Sequence, residues 1–393
     1  MTTPRIAMLG SFPPQTQGVQ SYCGPLAEAL GHVAPLTAIG FKRMYPPLVF
    51  PGVQQPLDPT WPAPTAPQLD LRLALTWYNP AAWCWHAART PCDVFHAQWW
   101  SLPLFPVTAT FVATMRRRGK PIVLTLHNVV PHEPAPRFER ATEWLCNRAD
   151  RIFVHGARNR EQAMERYGLP ASRVVTVPFG ASPPPPITDT PAEARARLGL
   201  PAYAPLILFF GIIRPYKGLH DLIEAFASIA RAHPAARLVI AGKPWEDWAP
   251  YAERIRARGL EERVITRLEF VPQDEVQLYY RACDANAIPY THFDAQSGVG
   301  TLSLAHAIPT VVTRTGALPD WVDNQPEWVV PPEDPVALGD ALGAILSDLP
   351  AKRAAFEALA ARMRETTSWG HVAETHLEVY RQALDARESH GPK

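Results

Sequence analysis

Cysteine is scarce in this chain. Cys23, Cys84, Cys92, Cys146 and Cys283 are scattered, odd in number and free of any C-x-x-C spacing, which argues against a disulfide framework and a structural zinc site. An excess of either charge is missing too. Lys and Arg total 38 against 37 Asp and Glu, a formal net charge of +1, whereas nucleic-acid-binding domains are usually strongly basic. No run reaches the roughly 18 consecutive apolar residues that a bilayer span requires. The apolar stretch inside MTTPRIAMLGSFPP is too short for a signal peptide and reads as a first β-strand. A cytoplasmic protein is expected.

Apolar residues and proline are plentiful. With 47% hydrophobic residues in 393 positions, the chain has material for two cores rather than one. Its 44 prolines concentrate in 45–68 and 183–191, which read as loop and linker. Between them strands and helices alternate. Strands are expected at 5–9, 93–96, 121–127, 151–155 and 174–180, then from Leu206, at 236–242, in RVITRLEF and ANAIPY, and in TVVTRT. Helical patterns separate them. The segment ASPPPPITDTP is stiff and unsuited to a sheet interior. The fold class is therefore α/β, with two doubly wound domains, 1–182 and 190–367, and a cleft between them. The segment SWGHVAETHLEVYRQAL (368–384) is an amphipathic helix with no strand after it.

The stretch LILFFGIIRPYKGL (206–219) concentrates the chemistry. Its apolar run ends at Gly211 and reads as an interior parallel strand. Arg214 and Lys217 then stand where open α/β sheets bind their ligands, and two cations there suit a diphosphate. The structural alternative is a solvated turn. A second anion device is Ser297–Thr301, where Gly298, Val299 and Gly300 lead into a helix whose first amides are free to bind anions; a plain glycine turn is the competing reading.

These segments, with SFPPQTQGVQSY, DVFHAQWW, PIVLTLHN and DAQSGVGTLSLAHAIPTVVTRTGALPDWV, resemble the GT-B-fold glycosyltransferases of family 4 (group 1) over nearly the whole length. The resemblance is to a subgroup with a QSGV-type donor loop. It implies two Rossmann-like domains, the nucleotide sugar mostly on the second and the acceptor mostly on the first, with the last helix crossing back to the first domain. It implies a retaining hexosyltransferase that uses a UDP- or GDP-sugar and no metal. No D-x-D pair stands at a strand end, so Arg214 and Lys217 are expected to stabilise the leaving phosphate. In many relatives the Arg directly follows the strand-end Gly, where this chain has Ile212.

By the same resemblance Gly18 lies beneath the diphosphate, His127 faces the transferred sugar, and backbone around Phe270, Val271 and Asp274 reads the base. The family's two glutamates, eight positions apart, fall on Asp294 and Leu302. Asp294 can accept sugar hydroxyls, whereas Leu302 cannot hold a ribose diol. His96, on the neighbouring strand end, is read as structural. The segment 41–68 is expected to be a long loop on the acceptor side. Of Trp77, Trp83, Trp85, Trp99 and Trp100, at least three are assigned to packing rather than to stacking on sugars. The basic cluster 115–120 has two readings: contact with anionic lipid headgroups at the inner face of the membrane, or a solvated helix C-terminus. The second is favoured. The acceptor is expected to be a glycan, a glycolipid or a small molecule. Two other functions remain open: a non-catalytic nucleotide-sugar-binding subunit, motivated by Leu302 and the displaced Arg214, and a nucleotide-sugar 2-epimerase, disfavoured because Asp294 is its only candidate carboxylate.

Overall fold

The computed structural model describes residues 3–15, 19–45, 61–129, 136–181, 188–292 and 297–388. Gly18 and Asp294 lie outside them. In chain order the first elements are β1 (Ile6–Leu9), α1 (Gln20–Val33), β2 (Leu36–Arg43), β3 (Leu69–Thr76), α2 (Pro80–Arg89), β4 (Val94–Trp99), α3 (Phe105–Arg117), β5 (Ile122–Leu126), α4 (Pro136–Cys146), β6 (Arg151–Val154), α5 (Ala157–Tyr167) and β7 (Val174–Thr176). They continue with α6 (Pro191–Leu198), β8 (Leu206–Phe210), α7 (Leu219–Ala232), β9 (Arg237–Ala241), α8 (Ala249–Ala257), β10 (Val264–Arg267), α9 (Gln273–Ala282) and β11 (Ala285–Ile288). Last come α10 (Gly298–His306), β12 (Thr310–Thr313), β13 (Val329–Val330), α11 (Pro335–Ser347), α12 (Leu349–Thr366) and α13 (Trp369–Glu388).

The chain divides into two compact units, Met1–Gly180 with Thr367–Lys393, and Ala181–Thr366. The first holds a seven-stranded parallel sheet ordered β3-β2-β1-β4-β5-β6-β7. Central strands of such a sheet are covered on both faces and must be apolar on both, and IAML of β1 is buried throughout. In β4 the period of two divides the faces. Phe95, Ala97 and Trp99 enter a core with Phe111 of α3 and Phe138 of α4. His96 faces the other way, toward Tyr380 of α13. α13 packs on α1, so the orphan helix of the sequence completes the first unit.

The second unit is a six-stranded parallel sheet ordered β10-β9-β8-β11-β12-β13. LILFF of β8 occupies its middle. α7 turns Leu219, Leu222, Ile223, Phe226 and Ile229 inward at helical spacing, the one-sided pattern that seats a helix on a sheet.

Segment 41–68 is not one long loop. Phe41–Arg43 finish β2, and residues 46–60 lie outside the described set. Beyond them the backbone amides of Thr65 and Ala66 donate to the Glu28 carboxylate at 2.6 and 3.1 Å, which ties the chain to α1 just before β3. The strands predicted at 174–180 and in RVITRLEF are shorter than expected, three and four residues. Packing accounts for Trp99, Trp83 and Trp100: the first two are buried, and the Trp100 indole donates to the Tyr45 hydroxyl at 3.0 Å. Trp85 is 51% exposed. Arg116 and Arg118 donate to the carbonyls of Arg148 and Ala87, on segments that neighbour α3 rather than on its own last turn. No helix among the described residues is long and apolar enough to cross a membrane.

Candidate functional site

In the second sheet the strand order reverses at β8: β9 is added on one side and β11 on the other, all strands running parallel. Crevices outside the carboxyl ends of strands at such switch points are where open α/β sheets bind ligands. The segments leaving β8 and β11 both carry predicted site residues.

After β8 the chain passes Gly211, at φ 102°. It is held against the segment after β9 by Ile213 N–H donating to Lys243 O at 3.0 Å. A 3-10 turn, Pro215–Lys217, then ends at Gly218, at φ 67°. A β-carbon on Gly218 would lie 1.8 Å from Pro289 O, so only glycine fits both the angle and the space. This tight turn folds Lys217 inward. Lys217 is 8% exposed, with Nζ 5.2 Å from the Tyr290 ring centroid. Among the described residues no carboxylate pairs with it. Burial, and then the charge of Arg214, lower its pKa below the ordinary lysine value. The Arg214 guanidinium carbon lies 5.3 Å from the Trp245 ring and 5.9 Å from that of Tyr216, and it too has no carboxylate partner among the described residues.

After β11 comes Tyr290, whose phenol is hydrogen-bonded to the Ser297 side chain and pushed up to about 12 by burial. Ser297 caps α10, accepting from Gly300 N–H at 3.3 Å. The amides of Gly298 and Val299, like the first amides of any helix, have no intrahelical acceptor. Gly211 and Val299 face one another: a β-carbon on Gly211 would stand 3.5 Å from a Val299 methyl. The cation loop and the amino end of α10 thus converge. Such a site can hold two negative charges, one by buried ammonium and one by helix amides.

The remaining donor-side residues are placed less uniformly. Val271 is buried in the core of the second unit, and only its backbone is left for a ligand, whereas Phe270 is 37% exposed. Leu302 is partly buried and packs on the same core.

His127, at the end of β5 in the first unit, does not present a free ring nitrogen. Nε2 lies 2.8 Å from the Gln98 amide and Nδ1 lies 3.2 Å from His155 Nε2. His155 Nδ1 in turn faces Val177 O at 3.3 Å. With Gln98 Oε1 turned to His127, these three contacts need three ring protons, but two neutral imidazoles carry two. Burial first, and then the neighbouring His155 and His96, hold His127 well below its ordinary value, and burial takes His155 down to about 3. The third proton is therefore disfavoured. The set closes when the Gln98 amide is reversed, an orientation fixed by hydrogen-bond logic. Its NH2 then donates to His127, His127 to His155, and His155 to Val177 O, while Gln98 Oε1 accepts from His96 Nε2. Tyr380 donates to His96 Nδ1 at 2.7 Å. His96 is fully buried, as the structural reading expects. The expectation that the His127 ring faces a sugar needs this network to open.

Sequence reasoning missed Gln98, His155, Tyr216, Trp245 and Tyr290. Tyr290 was within reach, because it follows a switch-point strand as Arg214 and Lys217 do. Among the described residues no group of three or more His, Cys, Asp or Glu is placed to hold a metal ion.

Two parallel α/β units of this construction form the GT-B fold. The structure matches that of Anabaena HepE in complex with UDP with a TM-score of 0.73 at 16% identity, covering 96% of this chain and all of that one. It matches sucrose-phosphate synthase from Thermosynechococcus elongatus with a TM-score of 0.70 at 20% identity, covering 98% and 100%. Residues 204–348 match the family described as glycosyl transferases group 1, and residues 43–183 match glycosyltransferase family 4. Each half of the chain thus matches a glycosyltransferase family model, and the chain carries group 1 and family 4 glycosyltransferase domains. It is 32% identical over 276 residues to the D-inositol 3-phosphate glycosyltransferase of Kineococcus radiotolerans, covering 65% of this chain and 62% of that protein's length. It is 29% identical over 359 residues to that of Acidothermus cellulolyticus, covering 86% and 77%.

Proposed function

We propose that the protein is a retaining hexosyltransferase that moves a hexose from a UDP- or GDP-sugar to an acceptor hydroxyl without a metal. One observation carries the reading: Lys217 is a buried ammonium without a carboxylate partner among the described residues, set beside Gly211 at a switch-point crevice. A buried charge is costly unless paired, and an anionic ligand supplies the missing partner. Breaking a sugar–diphosphate bond builds negative charge on the leaving phosphate. Lys217, Arg214 and the amino end of α10 stabilise that charge. The leaving phosphate takes the acceptor proton, so transfer proceeds on one face of the sugar with retention. The family resemblance assigns Asp294 to the sugar hydroxyls and Gly18 to the diphosphate; both lie outside the described residues. The acceptor hydroxyl belongs to a glycan, a glycolipid or a small molecule. The relatives' name makes inositol phosphate the first acceptor to assay.

Incubation with UDP-glucose, UDP-GlcNAc and GDP-mannose, with and without inositol 3-phosphate, tests the reading by release of the nucleoside diphosphate. One donor is expected to be consumed, equally in excess EDTA, with the donor's anomeric configuration kept in the product. Binding without turnover of any donor would favour the non-catalytic subunit instead. Loss on chelation, restored by magnesium or manganese, would overturn the metal-free site.

A further inference from the structure

Tyr280 of α9 is 3% exposed, and its hydroxyl has no hydrogen-bond partner. Buried phenols nearly always find one. The ring stands edge-on to Phe210, the last residue of β8, with centroids 5.4 Å apart and planes at 61°. It stacks on His306 of α10 at 5.3 Å and 18°. His306 Nε2 is likewise buried and unpartnered. Leu302 lies one turn before His306 on the same face of α10 and packs on the core cluster that contains Tyr280. The ring that carries this orphan hydroxyl is therefore wedged between Phe210 at the end of β8 and His306, the last residue of α10, one turn beyond Leu302. Those two elements frame the crevice that holds Lys217. At position 302, where resembling enzymes carry the ribose-binding carboxylate, this chain offers only an apolar side chain.

We infer that the Tyr280 hydroxyl is a specificity-determining contact for the ribose diol of the donor, replacing the carboxylate that position 302 lacks. The inference rests on the nucleotide-sugar reading above. A ribose hydroxyl brought to this wedge pairs with the phenol directly, and the diol avoids burial against Leu302 alone. The competing occupant is a buried water.

Calorimetric titration with UDP and GDP, and with the 2′-deoxy and 3′-deoxy forms of the tighter binder, separates the two. Tyr280→Phe removes only the oxygen. It is expected to weaken the ribonucleotide about five- to tenfold, the worth of one hydrogen bond, and to leave at least one deoxy form within about twofold of wild type. Equal losses for all three nucleotides, or no loss for the ribonucleotide, would overturn the inference in favour of water. If wild type bound neither UDP nor GDP, the donor reading itself would fail, and the inference with it. Leu302→Glu gives a second measurement. Its effect on ribonucleotide affinity should differ by more than about threefold between the wild-type and Tyr280→Phe backgrounds, because neighbouring groups couple. Additive effects would count against the contact.

Discussion

The ammonium of Lys217 occupies the space beside Gly211 that any side chain there would invade: a β-carbon on Gly211 would stand 3.0 Å from Nζ. The glycine serves the lysine as well as the turn, because φ 102° already disfavours other residues.

Replacing Lys217 by Ala should therefore lower transfer sharply with the fold intact. One charge-assisted contact to a developing phosphate charge is worth about 2–4 kcal/mol of barrier, or about 30- to 1,000-fold in rate. Steady-state kcat/KM with the preferred donor measures it, and retention of more than about half the activity would remove Lys217 from the mechanism. Arg214→Ala should lose activity in the same direction and by less, since that guanidinium already rests on two aromatic rings.

The Lys217 ammonium should also show itself in the pH dependence of donor binding. Its pKa is lowered by burial in the unliganded protein, so donor affinity should fall on the alkaline side before an ordinary lysine would titrate. The stability of the unliganded protein should move the other way. In that window the unfolded chain holds a proton that the folded one has released, and stability rises with pH. Titrations of nucleotide affinity and of the denaturant midpoint, compared with Lys217→Met, read the two opposite slopes. Parallel slopes would contradict the assignment.

Acid should destabilise the first unit through its histidines. His96, His127, His155 and His376 are all buried, and burial is the main cause that lowers each, to about 3 for His155 and about 4 for His376. In the unfolded chain each titrates near about 6.5. Below that value the unfolded chain takes up protons that the folded unit refuses. Stability is thus full above about pH 6.5 and lost as pH falls toward the folded values. The urea midpoint should drop steeply over that range, and His376→Gln should shallow the slope. A flat profile would mean that these rings are charged in the fold.

Leu302→Glu should not abolish donor binding, and modest tightening is expected. The residue is only partly buried, so a carboxylate can reach toward the crevice rather than stay in the core. Nucleotide affinity and melting temperature measured together decide the matter. A stable variant that has lost binding would show that the donor lies elsewhere than in the resembling enzymes.

Much of this protein is written locally in its chain. LILFF followed by Gly211, Arg214 and Lys217 is legible because a strand and the turn at its end involve neighbours in sequence, and the placement of strand ends follows from parallel-sheet topology. The final helix was legible as amphipathic and unmatched to a strand. Strands β2 and β3 went unread: β3 is a half-buried edge, and β2 beside it is interrupted by Gly40 and ends on exposed Lys42 and Arg43, so neither shows the continuous apolar run of β8. What only tertiary structure decided is burial and pairing across long separations. Tyr22 meets His376 at 3.3 Å across 354 positions, and Gln98 meets His127 across 29. Folding brings such groups together where water is excluded. Whether a histidine is free to meet a ligand, a lysine lacks a counter-charge or a tyrosine lacks a partner depends on atoms that the local sequence does not name.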